Sequence, residues 1–180
     1  MTNLARVFSL VGMAFGTVFV MVNAGGLPSP WDVIARVVGL VLLAVAVWRL
    51  VKGEWGDVSI PGSPRAYWVA VAAEVIAIPV GASVLTRVLD QPDLVVLWVV
   101  FVVGAHFLPA RAFGIGRFAE LGVVLMLLAV LFAAVDLAGD VDAAPSAGAV
   151  LAGVAMLAFS AVPSAVGVRL RPSGGPATDR

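Results

Sequence analysis

Glu74, His106 and Glu120 are the residues on which any acid–base chemistry would have to rest, because each falls within or at the edge of a long apolar run. An ionisable group at the centre of a bilayer costs roughly 2.5–3.5 kcal/mol or more, so each needs a partner or a task. Glu74 stands about two turns into the third run, roughly 10 Å from its cytoplasmic end at about 1.5 Å per residue. Pro79 follows it and removes one helical hydrogen bond, which leaves the Val75 carbonyl without its donor beside Glu74. A carboxyl next to an unpaired carbonyl is a candidate proton or cation site. The plainer alternative is an acid bonded to a neighbouring helix that fixes the packing.

His106 is the single histidine of the chain and lies about one turn from the cytoplasmic end of the fourth run. Glu120 has a similar depth in the fifth, and the turn between them makes the two runs neighbours. His106 and Glu120 are therefore expected to meet, either as a proton relay or, preferred at this depth, as an interfacial histidine that holds the turn. That turn contains Pro109, Arg111 and Arg117, candidates for contacts with lipid headgroups at the inner leaflet. At the opposite surface Asp32 and Arg36 are spaced for a local ion pair on one helix. With Arg87, Asp90 and Asp93 they form either a charged mouth or an anchored outer rim, and the rim is the preferred reading because exposed charges are individually weak.

The elements that must carry these groups follow from composition. Of 180 residues, 62% are hydrophobic and only 12% charged, and the mean hydropathy is +1.09; a soluble domain has about 25% charged residues. So apolar a chain suits lipid as its solvent. A spanning helix needs about 20 apolar residues. Six runs qualify: Leu4–Val22, Trp31–Val51, Ala66–Leu89, Leu94–Leu108, Phe118–Leu137 and Ser146–Val168. The fourth is short and is expected to take Pro92 and Asp93 into its first turn. Continuous apolarity argues against barrel strands, which alternate and are about half as long. The expected fold is an all-α, six-helix transmembrane bundle over residues 1–170, with a short polar tail over 171–180.

Breaks and charges complete the frame. Pro28 and Pro30 end the first connection, Pro61 to Pro64 the second, and Asp90 to Asp93 a tight hairpin. With the N-terminus inside, Arg6, Arg49, Lys52, Arg65, Arg111, Arg117, Arg169, Arg171 and Arg180 lie at the cytoplasmic side, and only Arg36 and Arg87 at the other. This bias predicts both termini in the cytoplasm of a cell-membrane protein. Val22-Asn23-Ala24 offers small residues for a signal peptidase, but the first run is long for a cleaved signal and is expected to stay. Gly12 and Gly16 form a G-x-x-x-G pattern, with Ala149/Gly153 and Ala161/Ala165 similarly spaced on the sixth run. Such faces allow close helix contact within the bundle or between protomers.

The exclusions are equally physical. Zero net charge gives no basic face for nucleic acid. No cysteine means no disulfide, thiolate metal site or iron–sulfur cluster, and one histidine builds no multi-histidine metal or bis-histidine haem site. No cofactor is expected, and no catalytic set is convincing: Ser9 or Ser164 lacks a nucleophile-elbow context. Gly114-Ile115-Gly116 lacks the further glycine of a phosphate loop.

The stretches Glu74-Val75-Ile76-Ala77-Ile78 and Gly104-Ala105-His106-Phe107-Leu108-Pro109-Ala110-Arg111-Ala112-Phe113 resemble small uncharacterised bacterial membrane proteins with an acidic third span and a G-x-H-F-x-P-x-A turn. The resemblance covers the third to fifth runs. It implies a shared six-helix fold, carries no activity, and groups Glu74, His106, Pro109 and Arg111 as one constellation. Three functions remain open, in this order. The first is a non-catalytic accessory, assembly or lipid-binding module; the second a small oligomeric transporter or channel using Glu74, with His106 and Glu120 at its inner end; the third a membrane enzyme. The expected partners are the lipid bilayer and a homo-oligomer or larger membrane complex.

Overall fold

The structure is a computed structural model that describes residues 4–52, 64–113, 116–139 and 141–162, without the side chains of 4–9, 64–67, 112, 113 and 116. The side chains of Arg6, Arg65 and Tyr67, the Pro61–Ser63 break, Gly114, Asp140, Pro163, Ser164, Ala165, Arg169, Arg171, Arg180 and the tail 171–180 therefore lie outside the described residues. Among the described residues there are six α-helices and no strand: α1 Leu4–Asn23, α2 Trp31–Lys52, α3 Pro64–Arg87, α4 Val95–Phe107, α5 Gly116–Gly139 and α6 Ala144–Ala161. Among the described residues five helical stretches are long and apolar enough to cross a membrane: Trp31–Lys52, Trp68–Arg87, Pro92–Arg111, Arg117–Gly139 and Ala144–Ala161.

Local chemistry sets the boundaries. The α4 helix has only 13 residues, but 3-10 turns over Pro92–Leu94 and Leu108–Phe113 extend it at both ends. Proline suits the first position of such a turn, where no N–H donor is required. The α3 helix stops after Arg87, and Asp90 takes a left-handed φ of 54°, a conformation short polar side chains tolerate better than most. The α6 helix ends at Ala161, and the rest of the expected run, 163–168, lies outside the described residues. Val162 adopts extended backbone angles (φ −99°, ψ 122°), as the residue before a proline prefers, and Pro163 follows.

Interfaces in lipid gain little from the hydrophobic effect, since lipid tails are as apolar as leucine; helices join by close packing and polar contacts. Among the described residues glycine faces glycine at two crossings. A Cβ built on Gly16 would meet the Gly153 carbonyl oxygen at 2.9 Å, and one on Gly153 would meet the Gly16 oxygen at 2.7 Å. The G-x-x-x-G face of α1 is therefore occupied by α6 within the chain. Gly104 of α4 and Gly122 of α5 oppose each other in the same way, each filling the space a side chain would need.

These contacts make α6 the central helix, lined by buried Gly148, Ala149, Ala152, Gly153, Met156 and Leu157. The main core joins Phe19 of α1, Val100, Val103 and Phe107 of α4, Phe118, Leu121 and Leu125 of α5, and Met156 of α6. The α2 helix packs on α1 and α6, while α3 sits at the opposite edge with its substantial packing on α4 and the adjoining turns. Val69, Val75, Ile76 and Val80 of α3 face outward, as do Val37, Leu40 and Val41 of α2 and Leu127, Val130 and Leu131 of α5. An exterior this apolar over several helices is far larger than the patches a soluble monomer exposes and suits lipid.

Candidate functional site

The α4 helix has two working faces. Gly104 and Phe107 point at α5, where Gly122 and the stacked ring of Phe118 receive them. At about 100° per residue, that phase turns His106 away from α5 and towards α3. There His106 Nδ1 lies 3.0 Å from Glu74 Oε2, with the two side chains 13% and 19% exposed. The backbone of Ala70, one turn earlier on α3, also bonds the imidazole. The Nδ1–carboxylate approach is short but off-axis for a well-directed hydrogen bond. It is a close polar contact between two nearly buried groups.

A second tie lies two turns further along the same seam. Trp98 Nε1 donates to the Ala77 carbonyl at 2.9 Å, and the indole lies over Gly81, where any Cβ would collide with it. Glycine at position 81 lets the ring come close enough to reach that carbonyl. Trp98 was not singled out from sequence; the available signal was Gly81, the one glycine of α3. The α3 helix runs unbroken through Pro79, which is exposed. Val75, whose carbonyl lacks its helical donor, faces outward, while Glu74 turns to α4.

Glu120 is exposed on α5 and lines a recess of about 640 Å³ with Leu108, Arg111, Ala119 and Val123. His106 and Glu120 thus belong to different faces, and the partner the structure gives His106 is Glu74. Pro109 is exposed in the 3-10 turn. Arg117 reaches the end of α6, where Nη1 donates to the Val162 carbonyl at 3.3 Å and the guanidinium lies 4.8 Å from the Phe159 ring centroid. It caps a terminal carbonyl that α6 leaves open.

At the opposite end no ion pair joins Asp32 and Arg36 among the described residues. Asp32 Oδ1 is buried without a hydrogen-bond partner, and Arg36 lies against the turn, with an Nη2 atom 3.6 Å from where a Cβ of Gly25 would stand. Arg87 is exposed at the last residue of α3, a favourable place for a cation on a helix dipole. No group of three or more metal-ligating side chains occurs among the described residues. Nor is either recess, the one at Glu120 or an apolar groove at Trp98, lined by Glu74 or His106. Comparison with known proteins returns nothing: no family model, curated protein or solved structure matches the chain.

Proposed function

We propose that the chain is a six-span protein of the cell membrane with both termini in the cytoplasm, serving as a non-catalytic accessory, assembly or lipid-binding module. The single observation that carries this reading is the contact between His106 and Glu74, 3.0 Å apart and nearly buried. The two ionisable groups that a transport or catalytic cycle would need are engaged with each other across the α3–α4 seam. Their contact compensates the cost of placing polar groups in lipid and holds an edge helix that has little other packing. The excess of Arg and Lys at one end of the helices supports the orientation. An α1 glycine face already filled by α6 leaves any homo-oligomer or larger complex to form through other surfaces, such as the outward apolar faces of α2, α3 and α5.

The competing reading is a small transporter with Glu74 as its proton or cation site. Transporters place such sites where helices are interrupted, whereas α3 is continuous past Pro79. Purified protein in proteoliposomes under an imposed pH or potassium gradient discriminates the two. The module is expected to pass protons and cations no faster than empty liposomes. Flux that Glu74→Gln abolishes, with an unchanged unfolding midpoint, would overturn the proposal in favour of transport.

A further inference from the structure

The recess at the start of α5 holds two opposite charges that do not neutralise each other. Arg111, from the 3-10 turn after α4, and Glu120, from α5, both line it, both are exposed, and no hydrogen bond or ion pair engages either among the described residues. Its remaining walls are the apolar side chains of Leu108, Ala119 and Val123. At about 640 Å³ it is within the range of small-molecule sites, about 300–1,000 Å³. A purely anionic ligand would satisfy Arg111 and be repelled by Glu120; a purely cationic one would meet the reverse. A ligand carrying both charges a few ångströms apart answers both.

The surroundings indicate which zwitterion. The α4 helix packs on both α3 and α5, and the three helices together line an apolar groove at Trp98. On α5 the positions Ala119, Val123, Met126, Val130 and Ala133 fall on one stripe at helical spacing. Its lower end is the charged recess. Its upper end lines a predominantly apolar groove of about 200 Å³ walled by Leu85, Leu97, Trp98 and Phe101. From Glu120 to Val130 the helix rises about 15 Å, half the thickness of the hydrocarbon layer. A charged recess and an apolar groove separated by this rise match the spacing between the headgroup and the acyl chain of a phospholipid in one leaflet.

We infer that the Arg111–Glu120 recess binds a zwitterionic phospholipid with a primary-amine headgroup. Its phosphate sits at Arg111, its ammonium at Glu120, and one acyl chain lies along the α5 stripe to the Trp98 groove. The guanidinium presents paired donors to phosphate oxygens, and the carboxylate accepts from an ammonium that carries hydrogens, which a trimethylammonium does not. This deepens the reading of the chain as a lipid-binding membrane module and rests on its placing the recess at the inner leaflet.

The test is native mass spectrometry of the full chain released from detergent after exposure to equal concentrations of phosphatidylethanolamine, phosphatidylcholine and phosphatidylglycerol, with free phosphoethanolamine as a fourth arm. Phosphatidylethanolamine is expected to be retained about tenfold over both other lipids, and the free headgroup not to displace it. Glu120→Gln should erase the preference over phosphatidylglycerol, and Arg111→Gln should weaken retention of all three lipids. Both side chains are exposed, so both variants should unfold at the wild-type midpoint. Equal retention of the three lipids, a preference for phosphatidylglycerol, or a preference that survives Glu120→Gln would overturn the inference. Displacement by free phosphoethanolamine would overturn the acyl-chain half of it. These outcomes are independent of proteoliposome flux, so failure here is distinguishable from failure of the module reading.

Discussion

The indole N–H of Trp98 donates to the carbonyl of Ala77 at 2.9 Å, across the seam that joins α3 to α4. Gly81 makes room for the ring, since a Cβ there would overlap the indole atoms. Gly81→Ala is therefore expected to push Trp98 off α3 and to destabilise the fold by about 1–3 kcal/mol, the usual cost of overpacking. Trp98→Phe keeps most of the ring and loses only the donor, for a smaller loss of about 0.5–1.5 kcal/mol. Reversible unfolding in mixed micelles measures both; a Gly81→Ala protein as stable as wild type would contradict the geometry.

The α1–α6 crossing depends on backbone approach at Gly16 and Gly153. Gly16→Leu should cost about 3 kcal/mol or more, because the opposing group is a carbonyl that cannot rotate aside. The loss is expected in the unfolding of a single chain and to be independent of protein concentration. A variant that unfolds like wild type but loses a dimer on light scattering would move this face to an interface between copies.

Orientation is open to direct measurement because the chain has no cysteine. Ser29→Cys, in the α1–α2 connection, and Asp142→Cys, before α6, should react with an impermeant maleimide added outside intact cells. Arg111→Cys should react only after permeabilisation. The reverse pattern would invert the topology drawn from the basic residues.

Much of the architecture can be read from the chain. Six apolar runs become six helices, and the breaks at Pro28–Pro30 and Asp90–Asp93 fall between α-helices. The sixth helix is the exception: Val162, held extended before Pro163, ends it at Ala161, a one-residue effect that hydropathy averaged over a span does not register. The polar residues of the site were legible as types, because Glu74 and His106 are rare in apolar runs. Their pairing was not. Proximity in sequence favoured His106 with Glu120 across the α4–α5 turn. The close Gly104–Gly122 contact sets the rotation of both helices: His106 turns towards Glu74 of α3, and Glu120 is left exposed in the recess beside Arg111. Helix phase is decided by which small residues meet, and only the packed structure shows it.

The contact between Glu74 and His106 is tested most directly by a double-mutant cycle on unfolding free energy in lipid, using Glu74→Leu, His106→Leu and the pair. Each single change strands one polar group against α3 or α4 and should lower stability by about 1–2 kcal/mol. Replacing both removes the polar pair together and should restore most of the loss, since a well-packed apolar pair is often as stable as the ionic one it replaces. Coupling of about 1 kcal/mol or more is the predicted result. Losses that simply add, with the double variant as unstable as the sum of the two, would contradict the claim that these side chains hold α3 to α4 through each other.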